Sequence, residues 1–256
     1  MVSMKIGAQY FTIRDFCQTI EDFDESCKKI KEIGYEYVQL SAIGPFLADE
    51  IKPILDKYGL KTVCTHRPME NYLNNLENEI EFHKKLNCKI AGIGAMPAFN
   101  VKPETIESFV KDFKPVVKRL AEEGIIFAYH NHAFEFEKIN GKFAFEILCD
   151  SMAADNFGAI LDVYWLSYAG VNPAKFIREH SENIACIHLK DLRVVDNKPG
   201  YAEIGQGNID WDDVISACQE CGVEYALVEQ DGNHMDNDPF KSLKISYDFL
   251  KKKGIV

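Results

Sequence analysis

A closed barrel of eight parallel strands surrounded by helices, (β/α)8, is the fold class this sequence predicts, and three observations predict it. The chain has 256 residues, close to the ~250 typical of such a barrel. An amphipathic helix, a glycine and a short run rich in β-branched and aromatic residues recur along it as a unit. The apolar runs also end in metal-competent side chains, and the ends of the strands are where this architecture builds its active sites.

The unit occurs at 28–34 followed by 35–40, at 54–59 followed by 60–65, at 119–124 followed by 125–130, and at 218–222 followed by 223–229. Gly34, Gly59, Gly124 and Gly222 sit where a helix ends in a left-handed residue before the chain turns into a strand. Apolar runs without the glycine add strands at 4–10, 89–94, 157–162 and 184–189, which makes eight. The helices between them read as 22–33, 47–58, 71–86, 104–123, 142–151, 173–180, 210–221 and 238–252. Near-continuous apolar strands alternating with helices indicate a parallel sheet buried on both faces. No GxGxxG follows the first strand, which argues against a dinucleotide-binding open sheet. Residues 1–256 are read as one domain.

Hydrophobic residues make up 46% and charged residues 27%, the balance of an ordinary globular protein. The formal charge of −11 repels polyphosphate backbones, so no nucleic-acid partner is expected. A small neutral or weakly charged molecule, a sugar or polyol, is the expected ligand, bound by a single chain or a homo-oligomer. No apolar run approaches ~18 residues and no charged leader precedes one, so no membrane association and a cytoplasmic location are expected. Eight scattered cysteines are then expected to be reduced. Cys218 and Cys221 form a CxxC without a second pair and read as small residues of a helix.

The strand ends carry the chemistry. Strand 3 ends at His66, strand 5 at His130-Asn131-His132 with Glu135 shortly after, and strand 6 at Asp162. Strand 7 ends at His188, followed by Lys190 and Asp191, and strand 8 at Glu229. A carboxylate closing an apolar strand is costly unless it is paired or bound to a cation, and one metal ion would satisfy both Asp162 and Glu229. Glu135, Asp162, His188 and Glu229 lie 27, 26 and 41 residues apart, about one strand-helix unit each. A purely structural reading makes Asp162 a cap, His188 a core histidine and Glu229 a partner of Lys190, but that network costs desolvation without return. His83, His180 and the lysines 251–253 read as solvated surface.

With these pieces in view, the sequence resembles the sugar phosphate isomerase/epimerase superfamily of xylose isomerase-like barrels over nearly its whole length. The resemblance is carried by 129–136 (YHNHAFEF), 161–165 (LDVYW), 188–191 (HLKD), 205–211 (GQGNIDW) and 228–231 (VEQD). These pieces are similar to the branch that includes inosose dehydratase-like and 3-keto-sugar-processing proteins. The resemblance implies one divalent ion held by a strand 5 glutamate, Asp162, His188 and Glu229. Where many relatives end strand 5 in glutamate this chain has His130, and Glu135 follows five residues later, so either is a candidate ligand. His66 and Lys190 match positions that touch substrate in such barrels, and His132, Trp165 and Arg193 are further candidate contacts.

Carboxylate and imidazole ligands with open positions suit Mn²⁺ first, with Mg²⁺, Co²⁺ and Zn²⁺ as alternatives. Such an ion would chelate a vicinal hydroxyl and carbonyl and stabilise an enediolate, with Glu229 and either Glu135 or His130 as base and acid. The expected activity is isomerisation or epimerisation of a ketose or keto-sugar. The alternative is elimination of water or an aglycone, as in an inosose dehydratase. An endonuclease IV-like nuclease, which needs several metals and a basic face, and a non-catalytic sugar-binding barrel rank below both. Gly205-Gln206-Gly207 is read either as a phosphate cradle or as a tight turn before Trp211.

Overall fold

The computed structural model describes residues 4–255. Eight parallel strands close into a barrel: β1 (Lys5–Gln9), β2 (Tyr37–Ser41), β3 (Lys61–His66), β4 (Ile90–Ile93), β5 (Ile126–His130), β6 (Phe157–Asp162), β7 (Ile184–Leu189) and β8 (Tyr225–Val228). Each strand pairs with its neighbours in the chain, and β1 closes the ring on β8 with Lys5 opposite Tyr225. The (β/α)8 expectation is correct.

The helices are α1 (Ile20–Ile33), α2 (Ala48–Tyr58), α3 (Met69–Asn74), α4 (Leu76–Lys85), α5 (Pro103–Glu122), α6 (Ala144–Met152), α7 (Val163–Tyr168), α8 (Pro173–His180), α9 (Trp211–Glu220) and α10 (Pro239–Lys252). In α1, Phe23, Cys27 and Ile30 recur at helical spacing and are fully buried, while Thr19 caps the N-terminus by accepting from the Asp22 N–H. In α5, Ile106, Phe109, Phe113, Val117 and Leu120 form the equivalent stripe. Each such side chain contributes about 1.5–3 kcal/mol on burial. Gly34 ends α1 at φ 124° and Gly59 ends α2 at φ 65°, as the repeated unit predicts.

Several expectations need correction. The single helix read over 71–86 is two, because Asn75 leaves helical geometry (φ −140°, ψ 39°); asparagine is a poor helix former whose side chain competes for backbone partners. α7 was not expected: it starts directly at the end of β6 because the Asp162 carboxylate accepts from the N–H groups of Tyr164 and Trp165. An antiparallel hairpin, Asp191–Val195 with Lys198–Ala202, follows β7 and turns through Asp196 and Asn197, both at positive φ. His83 is not solvated surface but fully buried, its ring held between the Thr65 hydroxyl (2.8 Å) and the Glu79 carbonyl (2.7 Å). His180 is half-buried, stacked on Phe176 and bonded to Glu146. All eight cysteines are free, and Cys218 is a buried helical residue as expected. No described helix is long and apolar enough to cross a membrane.

Alternation along the strands builds the site. Inside the barrel, Val63, Cys64, Ile90, Ala128, Ile160, Cys186 and Leu227 form an apolar cluster, with Tyr37 packed against it. Side chains two residues further along a strand point the same way. Gln39, His66, Gly92, His130, Asp162, His188 and Glu229 therefore form the next interior layer, at the C-terminal end of the barrel. Gln9, paired in register with Gln39, completes the layer. The apolar layer is the floor on which the polar one stands.

Candidate metal centre

Four members of that layer converge. One ligand atom each from His130, Asp162, His188 and Glu229 lies within 4.8 Å of all the others, and all four residues are buried. His130 Nε2 is 3.3 Å and His188 Nδ1 is 3.8 Å from Asp162 Oδ2, and His188 Nδ1 is 3.0 Å from Glu229 Oε2.

The outward nitrogen of each imidazole is occupied. His130 Nδ1 donates to the Gly94 carbonyl (3.1 Å), and His188 Nε2 donates to Gln39 Oε1 (2.7 Å). These bonds turn His130 Nε2 and His188 Nδ1 into the cluster, the arrangement by which neighbouring groups orient metal-binding histidines. Two imidazoles and two carboxylates, all buried and aimed at one point, fit a divalent ion.

Lys190 lies against the carboxylates of the cluster. Its buried ammonium lies 3.5 Å from Asp162 Oδ2, 3.3 Å from Glu229 Oε2 and 2.6 Å from Asp231 Oδ2. Burial alone raises the pKa of both carboxylates, but Lys190 together with the neighbouring His130 and His188 outweighs it and holds Asp162 and Glu229 well below the usual carboxylate range. Burial lowers His188, yet Glu229 and Asp162 overcome it and raise the ring to about 10.

Glu135 is not brought into this group. It is fully buried in the turn after β5, where its Oε1 accepts from the Tyr129 hydroxyl (2.6 Å) and its Oε2 from the His132 N–H (2.7 Å). Burial raises it to about 7 despite these donors. The His66 ring lies tilted against those of His130 and His188, at centroid distances of 5.2 and 5.7 Å. His132 lies 4.8 Å from His130 and 5.1 Å from Trp165, ring to ring. Burial and its histidine neighbour push His132 down to about 3, so it is neutral. Lys190 Nζ lies 5.3–5.5 Å from the rings of Trp165, Tyr164 and Tyr201. Arg193 stands on the hairpin one residue out of phase with Leu192 and its partner Tyr201, so its side chain leaves the opposite face.

Gln9, Gln39 and Asp231 were not singled out as site residues. The Nε2 groups of both glutamines and Oδ1 of Asp231 are buried and lack a partner among the described residues, as do His66 Nε2, His132 Nδ1 and Trp165 Nε1. The signal was available for the glutamines: each lies two residues beyond an interior position, Gly7 or Tyr37, at the end of its strand.

Residues 27–253 match the model of a family described as the xylose isomerase-like TIM barrel. Among solved structures, a sugar phosphate isomerase/epimerase from Parabacteroides distasonis aligns with a TM-score of 0.82 at 17% identity, covering 100% of this chain and 96% of that one. A probable 3-DHS dehydratase from Bacillus anthracis aligns at 0.77 with 13% identity, covering 97% of this chain and 99% of the other. A D-allulose 3-epimerase from Methylomonas sp. aligns at 0.75 with 12% identity and covers 99% of each chain. No curated protein sequence matches. At these identities the structural neighbours attest the fold.

Proposed function

Because this chain belongs to the xylose isomerase-like TIM barrel family, we propose that its buried His130, Asp162, His188 and Glu229 bind one divalent ion and that the protein isomerises or epimerises a keto-sugar. The observation that carries this reading is the pair of imidazoles whose outer nitrogens are tied to carbonyl oxygens while their inner nitrogens face two carboxylates. His130 takes the strand 5 ligand position, and Glu135 serves to hold the His132 backbone and Tyr129. Two imidazoles favour Mn²⁺, Co²⁺ or Zn²⁺ over Mg²⁺, which prefers oxygen ligands. When bound, the ion supplies a Lewis acid that polarises a substrate carbonyl and offsets the negative charge left as the adjacent proton departs.

The chain's own residues do the rest. Glu229 is the carboxylate that removes the proton, and Lys190 Nζ, 3.3 Å from its Oε2, holds it in place. Lys190, fixed by Asp231, donates toward the substrate oxygen where charge develops. His66 and His132 present neutral rings with an unpartnered nitrogen each to the sugar hydroxyls. The floor of apolar side chains beneath the site excludes water there. If a leaving group sits next to the carbon that loses its proton, the same residues carry elimination instead.

We expect about one divalent ion per chain after loading with Mn²⁺, Co²⁺ or Zn²⁺. Glu229 and Asp162 favour a proton on the His188 ring, raising it to about 10, and that proton must leave for Nδ1 to bind. Binding at pH 7–9 should therefore release about one proton from this ring, and affinity should climb about tenfold per pH unit. Calorimetry in buffers of different ionisation enthalpy measures the release. A chain that binds none of the three ions contradicts the reading.

A further inference from the structure

We propose that the N-terminal end of the barrel, opposite the metal centre, carries a second binding site, for a small phosphate monoester with an apolar or planar body. This site shares no residue with the metal centre and is independent of what binds there. A cavity of about 400 Å³ opens at this end. Strand register builds its rim: Tyr225 opens β8, Lys5 opens β1, Tyr37 opens β2 and Lys61 opens β3, with Lys5 opposite Tyr225 and Tyr37 opposite Lys61. Lys89 directly precedes β4. Ammonium groups therefore alternate with phenol rings around the rim. Lys5 Nζ lies 4.9 Å from the Tyr225 centroid and 5.8 Å from that of Tyr37, and Lys61 Nζ lies 5.5 Å from the Tyr37 centroid. The two rings meet edge to face at 5.9 Å and pack against the apolar cluster inside the barrel. That cluster divides the interior, with the metal centre on one side and this cavity on the other.

The charge points to an anion. The chain as a whole carries −11, yet the lining of this cavity holds four lysines against one carboxylate, Asp56. Lys5 is paired with Glu224 and Lys52 with Asp56, whereas Lys61 and Lys89 have no carboxylate partner among the described residues. Two unpaired ammonium groups on one cavity suit a dianion, and lysine is a regular phosphate ligand. A monocarboxylate would leave one of the two unmatched.

A second, independent observation is Thr62. It lines the same cavity and is 5% exposed, but its hydroxyl has no hydrogen-bond partner among the described residues. Buried polar groups are normally bonded, so this hydroxyl calls for an oxygen that the chain does not supply. Strand parity puts it there: Val63 points into the barrel, so Thr62 turns outward, toward α2 and the end of α4. Buried Leu55, Leu60 and Leu86 line the cavity beside it. Two ammonium groups and a hydroxyl match the oxygens of a phosphate. The leucines and the two tyrosine rings match an organic body attached to it, which a bare anion lacks.

The test is titration calorimetry of the full chain with phenyl phosphate, compared with inorganic phosphate and with phenol. Phenyl phosphate should bind once per chain, about tenfold more tightly than inorganic phosphate, and phenol should not bind. Binding should survive stripping with a chelator, because no residue of the cavity belongs to the metal centre. Lys61→Gln and Lys89→Gln should each weaken it about tenfold, while Lys244→Gln, the same charge change on the exposed face of α10, should leave it unchanged. Thr62→Val should also cost about tenfold and Thr62→Ser should restore most of the loss, with thermal unfolding confirming that each variant folds. Equal affinity in the Lys61, Lys89 and Lys244 variants, or loss of binding on stripping, would place the phosphate elsewhere and overturn the site. Absence of binding at millimolar phenyl phosphate would overturn it outright. Inorganic phosphate binding as tightly as phenyl phosphate would overturn the role given to the apolar wall.

Discussion

Glu229→Gln is expected to fold normally, bind the divalent ion more weakly by at least the ~10- to 100-fold that loss of a supporting partner costs, and lose solvent-proton exchange into substrate even at saturating metal. Glutamine keeps the shape of the residue and its backbone N–H bond to the Leu189 carbonyl. It removes the charge that His188 and Lys190 both contact, and it removes the proton acceptor. A general base contributes about 10²–10⁴ in rate, so the loss in kcat should far exceed the loss attributable to metal affinity. Comparing the variant with wild type at a fixed, saturating ion concentration separates the two. Exchange at the wild-type rate in the metal-saturated variant would place the base elsewhere.

The second large effect is at Asp162, whose two carboxylate oxygens have different partners. Its Oδ1 caps α7 through the N–H groups of Tyr164 and Trp165, and its Oδ2 faces His130, His188 and Lys190. Asp162→Ala leaves buried cations with one carboxylate fewer, a change that costs about 3–5 kcal/mol, and uncaps α7 for about 1 kcal/mol more. For a chain of this size that is a fall of about 10 °C in Tm, together with loss of bound ion. Asp162→Asn should recover the share due to the cap but not the ion. The sign with pH follows: the Asp162 carboxylate is held below its unfolded value, so its stabilisation is present at neutral pH and is lost as the solution is acidified through the carboxylate range. The alanine variant should accordingly show less acid sensitivity between pH 6 and pH 3. Equal stability and full metal content in Asp162→Ala would remove Asp162 from the centre.

How far the sequence carries can be followed along the strands. β5 and β6 end where their apolar runs end, and His130 and Asp162 follow the interior residues Ala128 and Ile160 by two. Alternation alone, applied to each strand, gives the polar layer. It also separates His130 from Glu135 in place: the strand's own parity points His130 inward, whereas Glu135 lies in a short 3-10 turn where no strand periodicity applies. Spacing around the barrel could not make that distinction because both residues fall in the same unit. Gln9 and Gln39 escaped notice because an amide has no metal-binding signature, although their positions are as diagnostic as those of the histidines. His83 misled for a different reason. Its segment is rich in charge, but α4 turns Glu79, Ile80, Phe82 and His83 toward the interior, and Arg67 neutralises the Glu79 carboxylate there. The Gly205-Gln206-Gly207 loop was legible only as a turn with spare donors; that Asp191 uses them depends on the hairpin that brings the loop back onto β7.

The central claim is that proton transfer depends on an ion held by His130, Asp162, His188 and Glu229. Deuterium incorporation from D₂O into a keto-sugar, followed by NMR while the ion is titrated into chelator-stripped protein, tests it most directly. The account predicts no exchange in stripped protein, exchange rising in proportion to occupancy up to one ion per chain, and loss of exchange again on adding chelator. Exchange that proceeds at the full rate in stripped protein, or that stays absent at full occupancy across neutral and phosphorylated keto-sugars alike, would contradict it.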